Sequence, residues 1–302
     1  MSDRLSVFKT YKLYIGGKFP RSESGRVYEV TTAASAADAA GKGNWLANAP
    51  QASRKDARDA VVAARKAFGA WSGATAYNRG QVLYRVAEML EGRRDQFARE
   101  VADAEGLSKS KAAAVVDATI DRWVWYAGWT DKIAQVVGGG NPVAGPFFNL
   151  SSPEPTGVVA VVAPQESSFL GLVSVVAPVI ATGNTAVVIA SEKSPLPALS
   201  LAEVLATSDV PGGVVNVLSG RTAEIAAPLA AHQDVNAIDL AGADEALAKE
   251  LEIAAADNLK RVLRPQPVDY AETPGTDRMT AFLETKTVWH PTGSLGASGS
   301  SY

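Results

Sequence analysis

The sequence predicts an α/β protein on a Rossmann-like, doubly wound parallel sheet, preceded by helices, and three observations carry that prediction. Val158 to Ala163 is a continuous, mostly β-branched run bounded by Gly157 and Pro164, the pattern of a strand buried on both faces of a parallel sheet. From Pro155 onward strand-like and helix-like segments alternate in units of βα size, which is how doubly wound sheets are built. Between Ser53 and Val137 apolar residues recur at steps of three and four instead, the period of helices with one buried face.

Taken in order, residues 11 to 31 alternate apolar and polar around Gly16-Gly17 and Ser24-Gly25, which reads as a strand and turn pair. The Ala-rich stretch from Thr32 to Asn48 reads as a loop or loose helix without chemistry. A first helix starts at Ser53, placed to cap it, with Ala57, Val61, Ala64, Phe68 and Trp71 on one face. A second runs from Arg79 to Gly106 through Val82, Val86, Met89, Leu90, Phe97 and Val101, and a third from about Ser110 to Val137. Trp123, Trp125 and Trp129 on the third read as core packing, because large aromatics mostly supply buried area. The Gly-rich segment 138–145 follows a helix and does not open one, so it reads as a loop, not a phosphate cradle. Strands are then expected at Thr185 to Ile189, Val214 to Leu218 and Ala237 to Leu240. The intervening helices run to Ala181, from Pro195 to Thr207, from Ala223 to His232 and from Asp244 to Asn258.

Composition narrows the function. The 302 residues carry a net charge of -3 and no cysteine, so disulfides and thiolate metal sites are excluded, and two distant histidines give no basis for a transition-metal site. No basic stretch is interleaved with aromatics, which argues against a nucleic-acid partner. No apolar run has the length of a membrane span and the N-terminus does not resemble a signal peptide, so a cytoplasmic location is expected. Ser167 and Ser168 lack the G-x-S-x-G setting of a hydrolase nucleophile. His232, at a helix end, and His290, near the C-terminus, have no nucleophile or carboxylate at catalytic spacing.

Three long strings, EPTGVVAVVAP at 154–164, APVIATGNTAVVIASEKSPLPALSLAEVL at 177–205 and DVPGGVVNVLSG at 209–220, resemble the cofactor domain of the aldehyde dehydrogenase superfamily. The resemblance implies chemistry by a cysteine thiolate, with hydride transfer to NAD or NADP, a glutamate base and an asparagine that stabilises the oxyanion. In this chain the asparagine position is Glu166, a carboxylate that accepts hydrogen bonds and repels a developing negative oxygen. The base position is Pro265, which has no ionisable group. The string 269–293 resembles the family's C-terminus, so the catalytic domain is expected to be missing, with its flanks joined near Arg264 to Tyr270. On that reading residues 1–265 form the cofactor-type domain and 266–302 a C-terminal oligomerisation strand and tail.

For the cofactor, the resemblance implies a ribose clamp of lysine and glutamate. Ile189 stands at the lysine position and Glu192 keeps the carboxylate. Gly220 stands where backbone N–H groups approach a pyrophosphate, followed by Arg221, and a later Gly-Ser position is Gly242-Ala243. Glu192 and Gly220 are therefore the candidate cofactor-binding residues; no catalytic or metal-binding residue is expected, and the cofactor is none or a weakly retained NAD(P). The function this implies is that of a pseudoenzyme: a structural or regulatory subunit bound to a full-length aldehyde dehydrogenase through the strand Ala281 to Trp289, with a homo-oligomer as the alternative assembly. An NAD(P)-dependent aldehyde oxidoreductase subunit and a nucleotide-binding sensor are the competing functions.

Overall fold

The computed structural model describes residues 5, 7–33 and 43–293. The Ala-rich segment is partly outside that range, but its end forms strand β2 (Trp45–Pro50), which pairs antiparallel with β1 (Val27–Thr31). Alanine is poor in strands by propensity, yet Ala47 and Ala49 are buried on the inner face of this ribbon.

Helix α1 (Arg54–Gly73) begins where Ser53 was expected to cap it. The Ser53 hydroxyl accepts the Asp56 N–H at 3.3 Å, and the Asp56 carboxylate accepts the Ser53 N–H at 2.8 Å, a reciprocal capping box. The apolar stripe from Arg79 to Gly106 is carried by two helices, α2 (Ala76–Glu91) and α3 (Arg94–Glu105). The chain breaks at Gly92 and Arg93, but Leu90 and Phe97 remain buried in one core, so the break leaves the periodicity intact. The third helix likewise divides, into α4 (Lys109–Trp129) and the short α5 (Ile133–Val137). Of the three tryptophans, Trp123 is fully buried, while Trp125 and Trp129 pack against the core at its margin.

The parallel sheet has five strands in the order β7-β6-β5-β8-β9: β5 (Val158–Val162), β6 (Thr185–Ile189), β7 (Val215–Leu218), β8 (Ala237–Asp239) and β9 (Arg261–Leu263). Every residue of β5 and β6 is buried, as a central parallel strand requires. Alternate residues of β5 feed two cores: Val159 and Val161 face α6 (Leu170–Ala181), α7 (Leu196–Ala206) and the α2 to α4 layer. Val158, Ala160 and Val162 face α1, α8 (Thr222–Ala231) and α9 (Glu245–Ala255). The strand order reverses between β5 and β8, the point where doubly wound proteins place their ligands.

Outside this core, part of the glycine-rich segment forms an extended strand, β3 (Gly139–Asn141), on a long strand, β4 (Phe147–Pro155). After the short helix α10 (Asp277–Thr280), strand β10 (Leu283–Pro291) pairs with β4 in antiparallel register from Leu283↔Pro155 to Pro291↔Phe147. The C-terminal strand is therefore not isolated. One of its edges is satisfied within the chain, in the sheet order β10-β4-β3.

Candidate functional site

The loops that follow β5, β6 and β7 meet at the carboxyl edge of the sheet, against β1 and the end of α3. They enclose a cleft of about 670 Å³ whose lining includes Tyr28, Glu105, Gln165, Glu166, Glu192 and Arg221.

The turn after β5 is fixed by hydrogen bonds that hold the loop. Gln165 donates from its amide to the Ala163 carbonyl at 2.9 Å, and its side-chain oxygen accepts the Glu192 N–H at 2.9 Å. Its own carbonyl accepts the Ser191 hydroxyl at 2.8 Å, so Gln165 staples the end of β5 to the end of β6. Glu105 accepts both the N–H and the hydroxyl of Ser168 at 2.8 Å, and burial pushes its carboxyl above the usual carboxylate range. Ser167 accepts the Gly171 N–H at 2.9 Å. Glu166 points to solvent and pairs with Lys193 at 2.8 Å, both side chains more than two-thirds exposed. It is a solvated ion pair, worth little to stability.

Glu192 and Gly220 lie on neighbouring loops of this edge. The Glu192 carboxylate is engaged at both oxygens: Arg221 donates to one at 2.6 Å and the Thr222 N–H, at the start of α8, donates to the other at 2.9 Å. Arg221 stands at the start of α8, half exposed and paired with Glu192. Its guanidinium lies 5.8 Å from the Tyr28 ring, whose hydroxyl burial pushes above its ordinary range. Gly220 has φ of 144°, and a Cβ there would come within 3.0 Å of Ile225 Cδ1 and 3.1 Å of the Ala52 nitrogen. Close packing of the β7 loop on β2 explains that glycine.

The turn after β8 is closed more tightly. A Cβ on Gly242 would sit 1.8 Å from the Ala163 carbonyl, and the Gly242 N–H donates to the Val162 carbonyl at 2.9 Å. Helix α9 begins with Asp244 as its cap, accepting the Leu247 N–H at 2.8 Å, followed by Glu245 in the first turn. Acidic residues complement a helix N-terminus and repel a second anion there. A dinucleotide whose ribose reached Glu192 would have to displace Arg221 and the Thr222 N–H; the Arg221 pair is partly exposed and costs little to part.

The other sequence-derived positions are dispersed. Pro265 follows β9 in an irregular segment, and His232 accepts the Asp234 N–H on Nδ1 at 3.1 Å. His290 lies on β10, its ring 6.4 Å from that of Phe148. Among the described residues no group of three or more His, Asp or Glu side chains could hold a metal, and no helix is long and apolar enough to cross a membrane. Sequence reasoning missed the Gln165 staple and the partners of Glu192, because both depend on where separate loops meet.

Sheet order, loop positions and sequence all lead to one class. The aldehyde dehydrogenase family profile matches residues 29–264, and this chain belongs to that family, on a Rossmann-like NAD-binding fold. It is 33% identical over 262 residues to retinal dehydrogenase 2 of Homo sapiens, covering 84% of this chain and 48% of that protein. It is 32% identical over 257 residues to cytosolic aldehyde dehydrogenase 1 of Elephantulus edwardii, covering 83% and 49%. A point mutant of an aldehyde dehydrogenase from Bacillus cereus superposes with a TM-score of 0.77 at 28% identity, and an NAD+ complex of an aldehyde dehydrogenase from the same organism with 0.75 at 29%. Both cover 84% of this chain and 50% of the solved one. The chain spans about half the length of the curated relatives it matches.

Proposed function

We propose that this chain is a non-catalytic aldehyde dehydrogenase homologue that acts as a cytoplasmic structural or regulatory subunit, joined through β10 to a full-length aldehyde dehydrogenase. The observation that carries the reading is the β10-β4-β3 sheet. Beyond its pairing with β4, β10 has no strand partner on its other edge among the described residues. At the far end of the sheet Phe147, Phe148, Leu150 and Trp289 are all exposed, Trp289 by 56%. Exposed aromatics beside an open strand edge favour association by strand addition. The chemistry has gone in parallel: the 302 residues contain no cysteine, and the oxyanion and base positions hold Glu166 and Pro265. Dinucleotide binding is at most residual, and would use Glu192 and Gly220 only after Arg221 gives way.

The test is to tag the chain at its native locus and identify what copurifies. A full-length aldehyde dehydrogenase in stoichiometric amount is expected, and Trp289→Glu should abolish its recovery while leaving thermal stability of the isolated chain within a few degrees. Recovery of the chain alone as a monomer overturns the proposal. The purified chain should form no NAD(P)H from aldehydes, and turnover above background would restore the oxidoreductase reading. NAD+ should not quench tryptophan fluorescence saturably; saturable quenching that Glu192→Gln removes would favour the sensor.

A further inference from the structure

Residues 8–11, the turn at 21–26 and the β1-β2 ribbon enclose a cleft of about 340 Å³. Phe8 and Trp45 stand edge to face in its lining, ring centroids 5.2 Å apart, yet remain 67% and 44% exposed, and Val27 of the same lining is 57% exposed. Three cations share that lining, Lys9, Arg21 and Arg26, and no carboxylate does. Lys9 is committed elsewhere, to Glu203 at 2.9 Å and to the Ser200 hydroxyl at 2.8 Å. Arg21 and Arg26 are exposed, and neither forms an ion pair or side-chain hydrogen bond with any described residue. The acidic residues near them in sequence, Glu23 and Glu29, line other clefts. Asn48 accepts the Trp45 indole N–H on its side-chain oxygen at 3.5 Å, which leaves its amide donors without a described partner.

A lone arginine or a lone aromatic ring on a convex surface is ordinary. Both kinds gathered in one concavity are not: like charges lining a cleft focus a positive potential within it, and rings held against each other present fixed faces and edges to a flat partner. The volume, at the lower end of ligand sites, suits one small molecule. A phosphate monoester offers oxygens for two guanidinium groups, and its nearly double negative charge at neutral pH matches theirs. Ring and charge are both required by this lining. A bare anion would leave Phe8, Val27 and Trp45 against water, and a neutral aromatic would leave Arg21 and Arg26 unmatched.

We infer that the cleft between the N-terminal segment and the β1-β2 ribbon binds a small aromatic phosphate, its phosphate on Arg21 and Arg26 and its ring against Phe8 and Trp45. None of the lining residues lies on β10 or on the Glu192 loop, so the inference is independent of the partner and of the dinucleotide. The probe is phenyl phosphate, titrated into the full chain by calorimetry, with inorganic phosphate and benzyl alcohol as comparisons. One saturable site is expected, with both comparisons at least tenfold weaker. Arg21→Ala and Arg26→Ala should each weaken binding at least fivefold and Trp45→Ala at least threefold, while Lys193→Ala, at the carboxyl-edge cleft, should leave it within twofold. All four side chains are exposed, and thermal melting checks that each variant stays folded. If Trp45→Ala does not fold, Phe8→Ala takes its place, since Phe8 lies outside every strand and helix. No saturable binding of phenyl phosphate to the wild-type chain overturns the inference. So does equal binding of either comparison, or an affinity unchanged in a folded arginine variant or in the folded aromatic variant.

Discussion

Asp239 offers the sharpest test of how the C-terminal return is anchored. It ends β8 with no exposed surface, one carboxylate oxygen accepting the Ala241 N–H at 3.0 Å and the other bonded to Arg278 of α10, the helix that leads into β10. Burial pushes its pKa from the ordinary 3.8 up to about 6, against the opposing pull of Arg278 and the Ala241 N–H. A carboxyl raised in the folded state holds its proton where the unfolded chain has lost it. Its stabilising contribution is therefore complete below about pH 4 and is lost as pH rises through 6. At 1.36 kcal/mol per pH unit, the loss amounts to about 3 kcal/mol between pH 4 and pH 7. The assay is urea unfolding of the wild type and of Asp239→Asn across that range, because subtracting the variant cancels other titrating groups. The difference should fall by roughly 3 kcal/mol with rising pH. A difference that is flat, or that grows with pH, would show that the ion pair repays the desolvation of Asp239 and would refute the reasoning.

Other substitutions test the packing that frames the site. Ser53→Ala removes a cap from α1 and should cost about 1 kcal/mol in urea unfolding, with Asp56→Ala costing more because Asp56 also accepts from the Ser22 hydroxyl and the Glu23 N–H. Phe97 is fully buried with its ring stacked 4.8 Å from Phe169, at the start of α6, so Phe97→Ala should cost about 3–5 kcal/mol. Gly242→Ala should lower the melting temperature markedly, because its Cβ would collide with the Ala163 backbone and no side chain there can yield.

Legibility followed the physics of each element. β5 and β6 were readable because central parallel strands must be apolar on both faces, and Thr185 to Ile189 came out residue for residue. β4 was not, because its burial alternates but the more buried positions are Asn149, Ser151 and Pro153, which are not apolar strand formers. β2 was hidden by alanine, whose propensity for strands is poor. At the site, the sequence picked out Glu192 and Gly220, on neighbouring loops. It could not show that Arg221 and the Thr222 N–H already satisfy Glu192, since that turns on a separation of under 3 Å between loops 29 residues apart.

The segment from Arg264 to Arg278 is anchored from several sides. Loss of an inserted domain would strip apolar surface from α4 and α6 and leave strand ends open. Instead the return segment is bound to α4 through Arg122, to β8 through Arg278, and to the sheet through Met279 and Phe282, both fully buried. Asn184 adds a bond from its side-chain amide to the Phe282 carbonyl at 2.9 Å while accepting the Gly157 N–H at 2.8 Å, so the root of β10 is tied to the loops on both sides of β5. Such bonds act only if the two flanks meet at this point, and they hold β10 in a nine-residue register on β4. On the reading proposed above, in which nucleophile, base and oxyanion donor are gone, a chain decaying without function would have no reason to keep β10 rigidly rooted. Retention of that root is what the proposed subunit role requires, since a strand offered to a partner must be held in place before it docks.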